Sequence, residues 1–480
     1  MGRFITLILY HQPHRVTPLL LALAAVELSF ALPENHLDDQ VNAAIDAGTF
    51  RNPSAKVRAR FRYWSEDASD DLAAVAADVK ATAEVGGGGL EHLGYYNYRA
   101  LEEFTGTYAP TDWTVYGWGI GAWQAQLKAV AQAHADNGLI IDFAMGPNQG
   151  QGVPAMQGSE GLAWDLFPYN VSLQLGQSFS GPIPRLDRWG LESLQAVVSG
   201  VVTDVHNVIV PTSTVLASTA STELNGTGVY PALPGDNGAV NRTQVTLSDA
   251  SLQDLTSQVA KTKGNLKFTC PKNAKGVECN VFFFYLIHSD CRAQASPLDL
   301  SGPQSVPQSY IQNGSWAVDH FSALEAKTTT DFWEQHVLTN GTMELLMAVG
   351  NYAWEDSIEI YTNVYWTKNL PAAFVAEHGY SLTKQTLGHL YNIYLDSMTK
   401  WANDYLNVQS SAQPAYSLPM DMLNAIPHLN APECESLGFK APDQYHQFTG
   451  PANLAGKRVI SKECGAVFGA AYQQTVPALM

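Results

Sequence analysis

Hydrophobic and polar positions in the first third of the chain repeat with two periods, one typical of strands and one typical of helices. The predicted strands are RFRYW at 60–64, GGLEHLG at 88–94 and LIIDFAMGP at 139–147. Between the first two, apolar residues recur at helical spacing from a cap at Ser69 to Gly86. A second helix has Trp123, Leu127 and Val130 on one face. Strand–helix–strand repetition predicts parallel strands joined by right-handed crossovers.

From about 173 to 320 the pattern changes to strands without intervening helices. The segment is rich in Thr, Ser, Val and Gly, and strand patterns occur in VVSGVVTDVHNVIV, TQVTLSD and CNVFFFYLIHS. This pattern predicts an inserted antiparallel β domain, a sandwich. We expect it to support the molecule or shape a cleft rather than to perform chemistry.

Helix–strand alternation resumes at 329, and a long helix is predicted after Thr383. The further strands lie in GNYAWEDSIEI, VQSSAQPAY, PHLNAPE and KRVISKE. About seven parallel strands result, close to the eight of a (β/α)₈ barrel. We therefore expect an α/β fold: a (β/α)₈-type barrel that lacks its last strand and has an inserted antiparallel β domain. The predicted division is a signal peptide at 1–31, the first part of the barrel at 32–172, the insert at 173–320 and the second part of the barrel at 321–480.

The composition and net charge of the chain indicate which classes of binding partner it can have. Hydrophobic residues make up 46% of 480 residues, which is enough for a large core. The formal charge of −18 argues against a nucleic-acid partner, because phosphates are neutralised by clustered Lys and Arg. Tyr and Trp are frequent, with 21 and 11 copies. Most of them belong in the core, although aromatic faces also bind sugars.

The N-terminus has the pattern of a secretory signal. Basic residues precede the apolar run PLLLALAAVELSFA, and the small residues Ser29 and Ala31 predict a mature start near Leu32. The alternative, a membrane anchor, is opposed by Glu27 and by the short run. We expect a secreted, extracellular glycoprotein with no membrane association after cleavage. Glycosylation sequons begin at Asn170, Asn225, Asn241, Asn313 and Asn340.

The five cysteines fit an oxidising compartment. Cys270, Cys279 and Cys291 lie close together in the sequence, so we expect two of them to form a disulfide bond. Cys434 and Cys464 either pair with each other or stay buried. The spacing matches no zinc template, which excludes a zinc site.

Acidic and polar residues recur at the predicted carboxyl ends of the strands, where parallel barrels place their active sites. These residues are Tyr63, Trp64, Glu91, His92, Asp142, Asn148, Gln149, Glu355, Asp356, Gln413, Asn430, Glu433, Glu435 and Glu463. A single such Glu is more often structural than catalytic. Several acids at one place indicate a functional site or a bound cation, because like charges repel and their clustering costs free energy. Motifs of serine hydrolases, zinc proteases and dinucleotide-binding proteins are absent.

Whole motifs of the chain resemble a known family. FRYWSEDAS, VGGGGLEHLGYYNY and DFAMGPNQGQGVP resemble the opening of fungal secreted glycosyl hydrolases similar to glycoside hydrolase family 106, the α-L-rhamnosidases. Further resemblance lies in AWEDSIEI with YWTKNLPAAFVAEHGYSL, in LPMDMLNAIPHLNAPECESLGF and in AGKRVISKECGAVFG. Relative to that family, the chain resembles a form truncated after the catalytic barrel.

The resemblance implies an inverting hydrolase of carbohydrate metabolism that cleaves rhamnose-containing polysaccharide or oligosaccharide. Its catalytic acids would be Glu355, Glu433 and Glu463, with two carboxyl groups about 6.5–9.5 Å apart. It also implies calcium near the sugar and no organic cofactor. The expected substrate-binding residues are Tyr63, Trp64, Asp142, Asn148, Gln149, Trp354, Asp356, Asn430 and Glu435. The alternatives are a catalytically inactive carbohydrate-binding or cell-wall protein on the same scaffold, or a truncated gene product.

Overall fold

The computed structural model describes twelve ranges of the chain, all within the compact unit His36–Met480. These are 48–65, 68–94, 113–147, 151–155, 158–185, 193–211, 239–289, 315–358, 364–378, 384–414, 421–435 and 442–463. The predicted signal peptide at 1–31 lies outside the described residues. Among the helices that are described, none combines the length and apolar character needed to cross a bilayer.

Strands alternate with helices in the two outer parts of the chain, and the middle part consists mainly of strands. In chain order the described strands are β1 (Arg60–Ser65), β2 (Gly89–Gly94), β3 (Ile141–Ala144), β4 (Gly152–Pro154), β5 (Trp164–Gln174), β6 (Ser178–Pro182), β7 (Ser193–Pro211), β8 (Ala239–Leu247), β9 (Gln253–Asp254), β10 (Asn265–Thr269), β11 (Glu278–His288), β12 (Ser315–Ala317), β13 (Gly350–Glu355), β14 (Tyr365–Trp366), β15 (Gln409–Ala412), β16 (Ala431–Glu435) and β17 (Ser461–Glu463). The α-helices are α1 (Leu72–Glu84), α2 (Trp113–Tyr116), α3 (Gly121–Asp136), α4 (Thr256–Lys261), α5 (Ala323–Phe332), α6 (Thr342–Val349), α7 (Leu370–His378), α8 (Lys384–Leu406), α9 (Met422–Ala425) and α10 (Pro442–Leu454).

Seven parallel strands form one sheet, in the order β1-β2-β3-β13-β15-β16-β17. Their order in space is their order in the chain, and β3 pairs directly with β13 across the whole β-rich middle segment. The sheet is curled, because Arg62 on the first strand forms an ion pair with Glu463 on the last. The expected parallel, barrel-like α/β fold is therefore present. Within the described ranges no eighth strand joins this sheet, so a complete (β/α)₈ barrel is not what the structure shows.

The alternation of side chains along each strand separates two environments. Toward the helices, the strands contribute to a large apolar core, for example with Leu90, Phe143 and Ala353. Toward the concave inner face, a small apolar cluster consists of Trp64, Leu93, Ala144 and Trp354. Helix α3 buries the predicted face, with Trp123 and Leu127 no more than 2% exposed. Burial of each such side chain contributes about 1.5–3 kcal/mol.

Helix α1 begins two residues later than the sequence predicts. Its cap is Asp71, whose carboxylate accepts a hydrogen bond from the backbone N–H of Ala73, whereas Ser69 was the expected cap. Both residue types are good caps, so their preference alone does not choose between neighbouring candidates. A side-chain cap at the N-terminus of α1 is therefore present as predicted, but the capping residue is Asp71 and not Ser69.

The middle of the chain forms two antiparallel sheets. Strands β14-β5-β11-β7-β8 form the larger sheet, with β9 beside β7, and β10 pairs with β6 in the smaller one. The two sheets share one apolar core, which includes the disulfide bond between Cys270 and Cys279. Two of the three clustered cysteines thus pair as expected. Cys291 and Cys464 lie outside the described residues.

The antiparallel sheet begins before the predicted boundary at 173. Strand β5 starts at Trp164 and pairs with β11 over eleven residues, from Trp164 with His288 to Gln174 with Glu278. Its first residues, WDLF, are apolar apart from Asp165 and are equally typical of a barrel strand, so the sequence pattern does not show the change of partner. Strand β14, from the second outer part, also joins β5.

Gly89 opens strand β2 in a conformation that favours glycine. Its φ is +152°, and a Cβ atom there would lie 1.7 Å from the carbonyl oxygen of Ile140. The neighbouring β3 backbone therefore approaches to a distance that leaves no room for a side chain. Glycine at the start of β2 therefore permits this tight packing.

Candidate functional site

Arg62 lies at the centre of a group of carboxylates on the inner face of the parallel sheet. Its Nε atom donates to Glu91 Oε1 at 2.5 Å, and its Nη2 atom donates to Glu433 Oε1 at 2.9 Å. Its Nη1 atom forms an ion pair with Glu463 Oε2 at 2.5 Å. We call Glu91, Glu433 and Glu463 the acid cluster. Because these acids come from β2, β16 and β17, the curl of the sheet brings them together.

Glu433 is surrounded by hydrogen-bond donors. Besides Arg62, its Oε1 atom accepts from Trp354 Nε1 at 3.2 Å and from Gln413 Nε2 at 3.0 Å. Its Oε2 atom accepts from Ser461 Oγ at 2.5 Å. Three donors thus share Oε1 and one bonds Oε2, so both oxygens of this carboxylate accept hydrogen bonds. Only 1% of the Glu433 side chain is exposed, so this residue is an anchor of the site.

Glu463 and Glu91 are more accessible than Glu433. Their side chains are 15% and 13% exposed. Glu463 Oε2 accepts from Gln413 Nε2 at 2.7 Å, so Gln413 bridges Glu463 and Glu433. The oxygens of these two acids lie within two hydrogen-bond lengths of each other. One amide group and one guanidinium therefore hold both carboxylates in place.

The electrostatics of the cluster follow from burial and from an excess of negative charge. Burial lowers the pKa of Arg62, but Glu91, Glu463, Glu433 and Asp356 outweigh this effect and raise it well above its usual value. The guanidinium is therefore permanently charged. Within the described ranges, one cation thus faces four carboxylates, and negative charge exceeds positive charge there.

The excess of negative charge affects the pKa of Glu91. Burial raises the pKa of its carboxyl group to about 8, helped by the nearby charges of Glu433 and Asp142 and opposed by Arg62. Desolvation and like charges both favour the neutral acid, and here they exceed the attraction of one guanidinium. Burial thus favours the neutral form of the Glu91 carboxyl group.

A second ion pair lies one layer closer to the amino ends of the strands. Asp142 pairs with Arg60 and accepts from Asn351 Nδ2 at 2.7 Å and from the backbone N–H of Tyr352 at 3.1 Å. Burial raises the pKa of Asp142, although Arg60 lowers it. Arg60 and Arg62 are two positions apart in β1, so both point to the inner face.

Glu355 lies on the opposite face of the sheet from the acid cluster. It is adjacent to Trp354, whose indole packs over Arg62, 4.3 Å from the ring centroid to the guanidinium carbon. Because neighbouring strand residues alternate, Glu355 points to the helices instead. There it accepts from Tyr394 Oη at 3.2 Å, and its Oε1 atom lies 3.3 Å from His320 Nε2. The structure therefore brings Glu433 and Glu463 together but not Glu355.

The other predicted substrate-binding residues divide between the two faces. Trp64 and Asp356 belong to the Arg62 side of the sheet. Tyr63 points to the helices, where its hydroxyl donates to Asp78 in α1 at 2.9 Å. Asn430 joins β15 to β16, because its Oδ1 atom accepts from the backbone N–H of Ser410 at 2.8 Å. Asn148, Gln149 and the side chain of Glu435 lie outside the described residues.

Calcium does not fit the acid cluster as it stands. The carboxylates that would ligate it are bonded to Arg62, whose guanidinium already lies where a cation would bind. Elsewhere in the described ranges, no group of three or more His, Cys, Asp or Glu side chains is placed to hold a metal ion. We therefore derive no catalytic step through calcium.

The sequence reasoning identified the acids but not the cation between them. The sequence pattern places Glu91 and Gln413 at strand ends without assigning them a role, and it gives Arg62 no partner. A signal was present in RFRYW, because Arg60, Arg62 and Trp64 share one face of a strand in a fold rich in strand-end acids. Two arginines on a buried face require acidic partners.

Comparisons with known proteins agree with the fold. No family model matches the chain, and no curated protein matches it. Among solved structures, the chain is similar to a rhamnosidase from Novosphingobium sp. PP1Y, with a TM-score of 0.51 and 14% sequence identity. The similarity covers 86% of this chain and 52% of the rhamnosidase, so the chain spans about half the length of that protein. At this identity the comparison shows that the chain shares the fold of that rhamnosidase over the matched part.

Proposed function

We propose that the chain is a glycoside hydrolase that cleaves rhamnose-containing glycans with inversion. The observation that supports the proposal most directly is the acid cluster, in which three carboxylates from three strands meet on the inner face of a curled parallel sheet. Folds of this kind place their catalytic groups at the carboxyl ends of such strands. The similarity to a bacterial rhamnosidase supports the same reaction class.

Within this proposal Glu463 is the base that activates water. It is the most exposed member of the acid cluster, and Arg62 with Gln413 holds its carboxylate in place. Glu433 positions Arg62, and the half-buried Trp64 offers an aromatic face to a sugar ring. Glu355 has a supporting role, because its contacts are with the helix layer.

We also propose that the chain is exported and glycosylated. The signal pattern at 1–31 supports export. Two sequon residues within the described ranges, Asn170 and Asn340, are exposed and accessible to a glycan.

Glu463→Gln tests the assignment, because it preserves shape and removes the base. We expect the turnover number on a rhamnose disaccharide to fall by about 10²–10⁴-fold, with little change in melting temperature. Glu84→Gln, at an exposed glutamate in α1, is the matched control and should leave turnover unchanged. Proton NMR of the first-formed sugar should show the inverted anomer. A parent chain that releases no sugar from any rhamnoside would refute the proposal.

A second candidate function, sugar binding without turnover, is favoured by one observation. Both oxygens of Glu433 accept hydrogen bonds, and every member of the acid cluster contacts Arg62, as in a satisfied structural network. Calorimetry with rhamnose oligosaccharides distinguishes the two functions. Binding that persists in a Glu355→Gln, Glu463→Gln double variant, together with no turnover in the parent, would favour the binding protein.

A further inference from the structure

Among the described residues, the acid cluster carries more negative charge than the neighbouring cations neutralise. Arg62 on β1 is the cation that contacts all three of its members. The next cation on the inner face, Arg60, is paired with Asp142 on β3. Asp356, after β13, adds a further negative charge near Arg62. Like-charged carboxylates this close cannot all ionise without a large cost, so one of them retains a proton.

The contacts of each carboxylate indicate which one retains it. Glu433 accepts from four donors, an arrangement that favours the ionised form. Glu463 is held by Arg62 and by Gln413. For Glu91, Arg62 Nε is the donor that the described part of the chain supplies. The least stabilised anion of the three is therefore Glu91, and its raised pKa agrees.

We propose that Glu91 is a further catalytic residue of this site, the carboxylic acid that donates a proton to the glycosidic oxygen. The proposal rests on the proposed function, because it names a role in glycoside cleavage. The geometry gives Glu91 and Glu463 different nitrogens of the same guanidinium, so Arg62 lies between the proposed acid and the proposed base.

The proposed step conserves atoms and charge. Glu91 gives its proton to the glycosidic oxygen as the bond from the anomeric carbon to that oxygen breaks and its electron pair passes to the leaving group. Water attacks the anomeric carbon from the other side, and Glu463 takes the proton that the water loses. Glu91 ends as the carboxylate and Glu463 as the acid, and exchange with solvent restores both. The net reaction is hydrolysis of one glycosidic bond.

The dependence of turnover on the leaving group of the substrate tests proton donation by Glu91 directly. Glu91→Gln retains an oxygen that can accept from Arg62 but has no proton to donate. We expect turnover of a rhamnose disaccharide to fall by about 10²–10⁴-fold, and turnover of 2,4-dinitrophenyl rhamnoside, whose leaving group needs no proton, to fall by less than about tenfold. Glu84→Gln serves as the control for both substrates. Equal losses on the two substrates would overturn the proposal, because a positioning residue affects them alike.

Melting temperatures measured over a range of pH test the protonation of Glu91 without any measurement of activity. The folded pKa of Glu91, about 8, lies above its ordinary value, so its contribution to stability is complete below about pH 4.5 and is lost as the pH rises through 8. The parent should therefore lose melting temperature over this window relative to Glu91→Gln. Parallel profiles would overturn the proposal. Absence of turnover in the parent would refute the proposed function and the donor role together, while the profiles would still show whether Glu91 is protonated.

Discussion

Arg62 contacts carboxylates from three strands, and its own strand is the first of the sheet. Replacing it with Gln leaves these acids buried without a counter-ion. Removing one partner of a buried ion pair typically costs about 3–5 kcal/mol, because the remaining charge is desolvated and unpaired. We expect Arg62→Gln to lower the free energy of unfolding by about that amount in urea titrations.

The matched control for this change is Lys80→Gln. Lys80 forms an exposed pair with Glu84 one helical turn away, and such pairs contribute about 0.3–0.5 kcal/mol. If Arg62→Gln destabilised the chain no more than Lys80→Gln does, the guanidinium would not be the counter-ion of the acid cluster. A larger loss at high pH than at low pH would confirm the origin of the effect, since protonation relieves the uncompensated acids.

At this scale the sequence predicts the acids and misses their partner. Glu433 and Glu463 follow apolar strand patterns, so their position at a strand end is visible in the sequence. Their contact with Arg62 depends on how far the sheet curls, and it joins residues hundreds of positions apart. The face that Glu355 occupies was also missed, because the alternation within AWED can be assigned to either face until a partner strand is known.

At the scale of elements, the start of β2 is the most constrained position. Gly89→Ala would place a methyl group against the backbone carbonyl of Ile140, a main-chain group directly before β3 that cannot yield as a flexible side chain would. We expect a loss of more than about 4 kcal/mol, the range that marks a severe defect. Thermal melting with far-ultraviolet circular dichroism measures it.

Gly121→Ala is the control for this prediction. Gly121 is the first residue of α3, its φ is negative, and nothing lies within 4 Å of the added methyl group. Alanine should stabilise the helix there by about 0.5–1 kcal/mol. Similar melting temperatures for the two alanine variants would show that the approach of β3 to β2 is looser than described.

Elements with strong periodicity were predicted well and those without it were not. The face of α3 follows from apolar residues at helical spacing, and the parallel strands follow from their alternation with helices. The start of the antiparallel sheet at Trp164 was missed, because an apolar run shows burial but not the direction of the neighbouring strand. The pairing of the two-residue β14 with β5 leaves no pattern in the sequence at all.

At the scale of the whole molecule, the proposal of export makes a separate prediction. A secreted chain expressed in a glycosylating host should begin near Leu32 and should lose mass when N-glycans are removed. Asn170→Gln and Asn340→Gln should each reduce that mass loss, because both asparagines are exposed. Mass spectrometry and N-terminal sequencing measure these outcomes. Recovery of Met1 from secreted material would contradict the signal peptide.

The direct pairing of β3 with β13 also affects how the chain is made. About two hundred residues separate these neighbours, and a ribosome that adds 5–20 residues per second needs about 10–40 s to synthesise them. During that interval β3 is the edge of an unfinished sheet, with unpaired N–H and C=O groups facing the cytosol or the translocation channel. The antiparallel part has its own core and disulfide bond, so it can fold before β13 is synthesised and pairs with β3. Synthesis therefore exposes an aggregation-prone nascent intermediate for tens of seconds. Chaperones that bind exposed strand edges during synthesis should raise the yield of this chain more than chaperones that act after release from the ribosome.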